Sequence, residues 1–135
     1  MADAPPINTN AWEMRSFYLD GAASVCCVDD PRCIQGGRLP TASDSTLTLV
    51  GTEAPDLIGN LIIKVGQKVV KLPESKCFSR SNANLLSDGH LEELGIVPCR
   101  KTASLECDDG TRIPVKRAGR LLQFDTWVYV GHQPE

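Results

Sequence analysis

The sequence contains no C-x-x-C pair, and its two histidines, His90 and His132, lie far from the cysteines near its start. A structural zinc site usually draws paired ligands about two to four residues apart, so that one tight turn presents both to the metal. Zinc ligation is therefore disfavoured, and no metal or cofactor is expected. H-E-x-x-H, G-x-S-x-G and a glycine-rich phosphate loop are missing as well, which removes the usual metalloprotease, serine-hydrolase and nucleotide-binding readings. No apolar run approaches the ~20 residues of a membrane-spanning helix. No Asn-x-Ser/Thr sequon occurs, so N-glycosylation is not expected. The first residues lack an apolar segment behind a basic one. Met1-Ala2-Asp3-Ala4-Pro5-Pro6 reads like the polar start of a mature secreted protein behind an initiating methionine.

What the chain does hold is six cysteines, Cys26, Cys27, Cys33, Cys77, Cys99 and Cys107. An even count in a small chain reads as a disulfide framework, and hence as secretion; a cytoplasmic protein with reduced thiols is the alternative. A bridge between the adjacent Cys26 and Cys27 would be strained, so each is expected to pair at a distance. A reactive thiol is the competing use, because Arg32 adjoins Cys33 and Lys76 adjoins Cys77, and a neighbouring cation lowers a thiol pKa.

At 135 residues with 41% hydrophobic side chains, the chain fits one domain with a real core. Residues 12–132 are expected to form it, between flexible tails at 1–11 and 133–135. The net charge is −3, but it is unevenly placed. Residues 1–60 carry three basic and eight acidic side chains, and residues 61–135 carry eleven and nine. Arg100, Lys101, Arg112, Lys116, Arg117 and Arg120 make 100–120 locally basic, without the broad positive field of a typical nucleic-acid binder.

Pattern and turn chemistry predict an all-β or β-rich α+β fold: an antiparallel sandwich or small barrel with one short helix. Residues 12–19 read as a strand, and 21–40 as a long irregular stretch tied down by its cysteines. Thr46–Val50 alternates as a half-buried strand, and 51–60 is a turn-rich connection. Leu61–Val65 and Lys68–Leu72 flank Gly66-Gln67, a two-residue hairpin turn. Pairing outward sets Val65 against Lys68, Ile63 against Val70 and Leu61 against Leu72, which puts the large aliphatic side chains on one face. Ser87 or Asp88 caps a helix near 88–94, which Gly95 ends. Asp108-Asp109-Gly110 turns a second hairpin between 103–107 and 111–116. Arg120–Val130 is a long last strand with Leu122, Phe124, Val128 and Val130 on one face and Gln123, Asp125, Trp127 and Tyr129 on the other.

Two surfaces stand out as candidate sites. The first is the face of the last strand carrying Gln123, Asp125, Trp127 and Tyr129; aromatics with a polar handle can stack on a sugar or anchor a protein partner. The competing reading is that another sheet or the N-terminal segment covers them. The second is the basic segment with Arg112, Lys116, Arg117 and Arg120. It lacks the interleaved aromatics used for base stacking. Asp88, His90, Glu92 and Glu93 form the densest titratable cluster, read as helix-terminal charge in preference to acid–base machinery; no catalytic residue is assigned.

In composition the chain resembles the small secreted, cysteine-bridged β proteins that fungi and other pathogens release as effectors. The likeness covers the whole chain and rests on no motif. It implies an extracellular, non-enzymatic virulence protein that binds a host protein or a glycan. The alternative is a cytosolic or viral accessory protein that contacts nucleic acid or an acidic partner through 100–120.

Overall fold

Residues 11–48, 51–81 and 83–131 are described by the computed structural model. In chain order their strands are β1 (Trp12–Asp20), β2 (Cys27–Val28), β3 (Ile34–Arg38), β4 (Thr46–Thr48), β5 (Gly51–Glu53), β6 (Leu57–Val65), β7 (Lys68–Cys77), β8 (Leu85–Ser87), β9 (Ile96–Cys99), β10 (Ser104–Cys107), β11 (Arg112–Pro114), β12 (Lys116–Ala118) and β13 (Leu121–Tyr129). Helix α1 (Asp88–Glu93) lies between β8 and β9.

The strands of the largest sheet run β12-β13-β1-β8-β2-β7-β6-β3, and β13 also touches β6. That contact closes β13-β1-β8-β2-β7-β6 into a six-stranded barrel, with β12 and β3 as outriggers. A three-stranded sheet β11-β10-β9 and a two-stranded sheet β4-β5 complete the structure. The small barrel is one of the two expected forms, but it is not wholly antiparallel. β1 pairs with β8 and β2 with β7 in parallel.

The β6–β7 hairpin sits in the barrel wall in the expected register, Val65↔Lys68, Ile63↔Val70 and Leu61↔Leu72. Gly66 has φ +63°, as the first central position of such a turn requires. Leu61, Ile63, Val65 and Leu72 are buried, whereas Val69 is 57% exposed. On the adjacent strands β1 and β13, Phe17 lies beside Phe124 and Leu19 beside Leu122, all buried. Strand alternation thus delivers one side of β1, β6, β7 and β13 to a common interior.

The short helix also forms as expected. The Ser87 hydroxyl accepts the His90 N–H at 3.2 Å, and Gly95 has φ +77°. The second hairpin pairs Leu105 with Ile113 and Glu106 with Arg112.

Beyond 51–60, which holds β5 and the first residues of β6 in place of a turn-rich connection, three expectations need correction. First, 21–40 is not an irregular loop held by cross-links. It contains β2, a 3-10 turn at Pro31–Cys33 and β3. Backbone bonds hold β2, from the Lys76 N–H to the Cys26 carbonyl and from the Phe78 N–H to the Val28 carbonyl, both 2.9 Å. β3 lies so close over Gly59 that a Cβ there would stand 2.7 Å from the Gln35 carbonyl oxygen. Second, Ala11 belongs to the folded part. It is buried, and its carbonyl accepts the Val130 N–H at 2.7 Å; the tails proper, like Leu49 and Val50, lie outside the described residues. Third, no disulfide is formed, and all six cysteines are free thiols. Cys99 and Cys107 lie opposite Ser104 and Ile96 on neighbouring strands. That stagger of three positions is ~10 Å, beyond the Cα separation of about 4.4–6.8 Å that a bridge needs.

Fully burying an aliphatic side chain stabilises by about 1.5–3 kcal/mol, and deleting one adds a cavity cost. Ile63→Ala is expected to lose about 2–5 kcal/mol in urea denaturation, and Lys71→Ala, on the exposed face, less than about 0.5 kcal/mol. Equal losses from the two would mean that the hairpin is packed on both faces.

Candidate binding groove

The site grows from the way β13 loses its neighbours. β1 accompanies it throughout, from Trp12↔Tyr129 to Leu19↔Leu122. On its other side β12 pairs only with Leu121–Gln123. Just before β12, the Val115 N–H is bound to the Ala103 carbonyl at 2.9 Å, and Pro114 has no N–H to offer. The chain therefore lifts off β13 at 114–115 and crosses to the small sheet.

β6 approaches from below and pairs with β13 only at Ile63↔Val128. Two residues on, the Thr126 hydroxyl donates to the Lys64 carbonyl, a side-chain bond where a backbone ladder would have continued. The β10–β11 turn is tethered to the end of the hairpin by Lys68, 3.0 Å from Asp109 and 3.7 Å from Asp108. Gly66 admits that crossing, since a Cβ there would lie 3.1 Å from Ile113 Cδ1.

Between these pieces lies a groove of about 610 Å³. Residues 123–127 of β13 form its floor, with Met14 beside them. Lys64, Gly66 and Gln67 form one wall, and residues 111–116 form the other. Its chemistry is mixed: Trp127, Ile113 and Val115 are apolar, and Lys64, Arg112, Lys116, Gln123 and Asp125 are polar or charged.

The two candidate surfaces thus meet. Gln123, Asp125 and Trp127 from the last strand share the groove with Arg112 and Lys116 from the basic segment. Lys116 Nζ stands 2.6 Å from an Asp125 oxygen, and Gln123 donates to the other at 2.9 Å. Burial pushes the Asp125 carboxyl up. Hydrogen bonds from Gln123, Lys116 and Ser16 outweigh it and bring its pKa down to about 2.

The other candidates lie elsewhere. Tyr129 is beyond the groove, edge-on to Trp12 with ring centroids 5.4 Å apart and planes at 70°, so the N-terminal strand covers it in part. Arg117 donates to the carbonyls of Arg100 and Lys101 at 2.8 and 3.0 Å. Arg120 is exposed on the β12–β13 turn. The basic segment is further divided by ion pairs, Arg100–Asp88 at 2.9 Å and Arg112–Glu106 at 2.7 Å. Lys64, Gln67 and Met14 were not legible as groove residues, because they arrive from strands distant in sequence.

The cluster on α1 does not assemble into a site. Asp88 is held by Arg100, and Glu92 and Glu93 are exposed. The second oxygen of Asp88 and Nδ1 of His90 are buried without a hydrogen-bond partner. Among the described residues no group of three or more His, Cys, Asp and Glu is placed to hold a metal; His132 lies outside them.

The activated-thiol reading of Cys33 and Cys77 is also corrected. Burial pushes Cys33 up to about 11 and Cys77 up to about 12. Arg32 is turned to Asp30 and Glu13, and Lys76 Nζ donates to the Asp44 carbonyl at 2.7 Å. Burial raises Cys26 to about 12 as well. Cys99 is lowered, because the Thr102 side chain and backbone hydrogen-bond to it.

No protein-family model, curated protein or solved structure matches this chain. Its function is therefore argued from the site alone.

Thiolate, not thiol, reacts with alkylating agents. Brief iodoacetamide treatment of the native protein is expected to label Cys99 first and to leave Cys26, Cys33 and Cys77 unlabelled by peptide mass mapping. Denaturation without reductant should then expose six alkylatable thiols, matching the free state of all six. Fewer than six would reveal bridges.

Proposed function

We propose that this chain is a non-enzymatic interaction protein that seats a segment of a partner protein or a glycan in the groove over 123–127. The supporting observation is the convergence of Trp127, Gln123 and Asp125 with Arg112 and Lys116 on one cavity of about 610 Å³. That lies within the ~300–1,000 Å³ of ordinary ligand sites. Mixed aromatic, apolar and charged lining is the composition of recognition surfaces.

The chemistry of the groove favours binding over catalysis. A general base works best with a pKa near the operating pH. Asp125, held at about 2, stays ionised and hydrogen-bonded at neutral pH. Among the described residues no histidine or cysteine lines the groove.

The nucleic-acid reading is weaker, because the basic segment is split in space: Arg100 pairs with Asp88 and Arg117 donates to backbone carbonyls, which leaves Arg112 and Lys116 of that segment on the groove wall. The extracellular, effector-like setting expected from the cysteine count draws no support from six free thiols. The binding role does not depend on it.

Peptide and glycan arrays probed with the intact chain test the proposal. Hits are expected to weaken at least about tenfold, roughly 1.4 kcal/mol, with both Trp127→Ala and Lys116→Glu, while melting temperature holds. Hits indifferent to both variants would place binding elsewhere. Oligonucleotide binding that falls steeply with salt, and is lost on charge reversal of Arg112, Lys116, Arg117 and Arg120, would favour the nucleic-acid reading.

A further inference from the structure

We infer that the groove receives an extended, acidic peptide segment of a partner protein, added as a strand beside Phe124–Thr126 of β13. The inference rests on the binding role proposed above and names the partner's chemistry.

Its first ground is the hydrogen-bonding edge of β13. Among the described residues, the backbone pairing of β12 stops at Gln123 and that of β6 is confined to Val128. Phe124, Asp125 and Thr126 therefore have a backbone ladder on the β1 side and none on the other, where β6 meets them through the Thr126 hydroxyl alone among the hydrogen bonds described. Backbone N–H and C=O groups are obligatory hydrogen-bonding groups, and an unpaired strand edge is a template for another chain. Peptide recognition by strand addition uses such an edge, with main-chain bonds giving affinity and alternate side-chain pockets giving specificity.

The second ground is that neither neighbour is free to close the gap. Pro114 lacks an N–H and that of Val115 is bound to Ala103. The Lys64 carbonyl is taken by the Thr126 hydroxyl. The gap is built into the sequence at Pro114 and Thr126, and the groove above it is open to an incoming chain.

The third ground is charge. Among the described residues, Lys64, Arg112 and Lys116 line the groove against one carboxylate, Asp125. The Arg112–Glu106 and Lys116–Asp125 pairs are largely exposed on their cationic side. Exposed pairs of this kind contribute little, so either cation can exchange partners at small cost. Ile113 and Val115 offer apolar contact on the same wall. A strand alternating acidic and apolar side chains satisfies both.

The test titrates the intact ¹⁵N-labelled chain with four synthetic peptides and one sugar. The peptides are acetyl-(Val-Glu)₃-Val-amide, its Lys analogue, and the acidic peptide N-methylated at alternate residues in each of the two registers; the sugar is hexa-N-acetylchitohexaose. Methylation removes backbone donors and leaves every side chain, so it does not perturb the protein. The acidic peptide is expected to shift the amides of Phe124, Asp125 and Thr126. It should bind at least about tenfold tighter than the Lys analogue or the better of the two methylation registers. The double variant Arg112→Glu/Lys116→Glu should reverse the preference between the acidic and Lys peptides. Equal binding of parent and methylated peptides in both registers would overturn strand addition. So would amide shifts at 124–126 with the sugar alone, though the binding role would then stand. No shift in the groove with any of the five, together with array hits that ignore Trp127→Ala and Lys116→Glu, would overturn both.

Discussion

The barrel closes through one backbone bridge, Ile63 to Val128. Both residues are fully buried, so closure rests on packing more than on a ladder. Everything above the bridge follows from what is not paired there. β13 continues to Leu121 with β1 as its constant partner, while β6 ends in its turn at Gly66-Gln67. The two diverge, and the space between them needs a cover. The 111–116 arm of the small sheet supplies it, leaving β13 where Pro114 interrupts the pairing. A closed barrel removes sheet edges; this one keeps a short edge at its seam and shelters it.

The electrostatics serve the same arrangement. Lys68 at the hairpin tip holds Asp109 and Asp108 at the tip of the β10–β11 turn, and so fixes the arm over the seam. Asp125 below is held ionised by Gln123, Lys116 and Ser16. The basic segment that looks like one patch in sequence is split in space. Arg100 serves α1, Arg117 binds carbonyls, and Arg112 and Lys116 alone face the groove. Local positive charge here is a device for one wall of one cavity.

What was legible in the sequence is what short-range chemistry decides. Gly66-Gln67 with flanking alternation specifies a turn and a register, and both are present. Ser87 and Gly95 bracket α1, and the two faces of β13 separate as its alternation implies. Strands β2, β8 and β9 were not legible. At two to four residues they show no period, and β2 and β8 owe part of their pairing to parallel neighbours far along the chain. β3 was hidden by Gly36-Gly37, which reads as a turn; Gly36 indeed has φ +60° but serves a bulge against β6. The cysteine count misled for a different reason. Cys26, Cys33 and Cys77 fill core positions as small apolar side chains, a common fate of free cysteine. Half of the groove was visible as two separate candidates. Their meeting was not, since it depends on where a ladder stops.

The open seam is the central claim, and native-state amide hydrogen exchange tests it most directly. Leu61 and Leu122 have a strand on both sides and set the protected reference. With the seam open, at least one amide among Phe124, Asp125 and Thr126 exchanges about a hundredfold faster than that reference, while those directed at β1 stay slow. Protection of all three at the level of Leu61 and Leu122 would mean that β6 and β13 are zipped past Val128, leaving no edge for a ligand to meet.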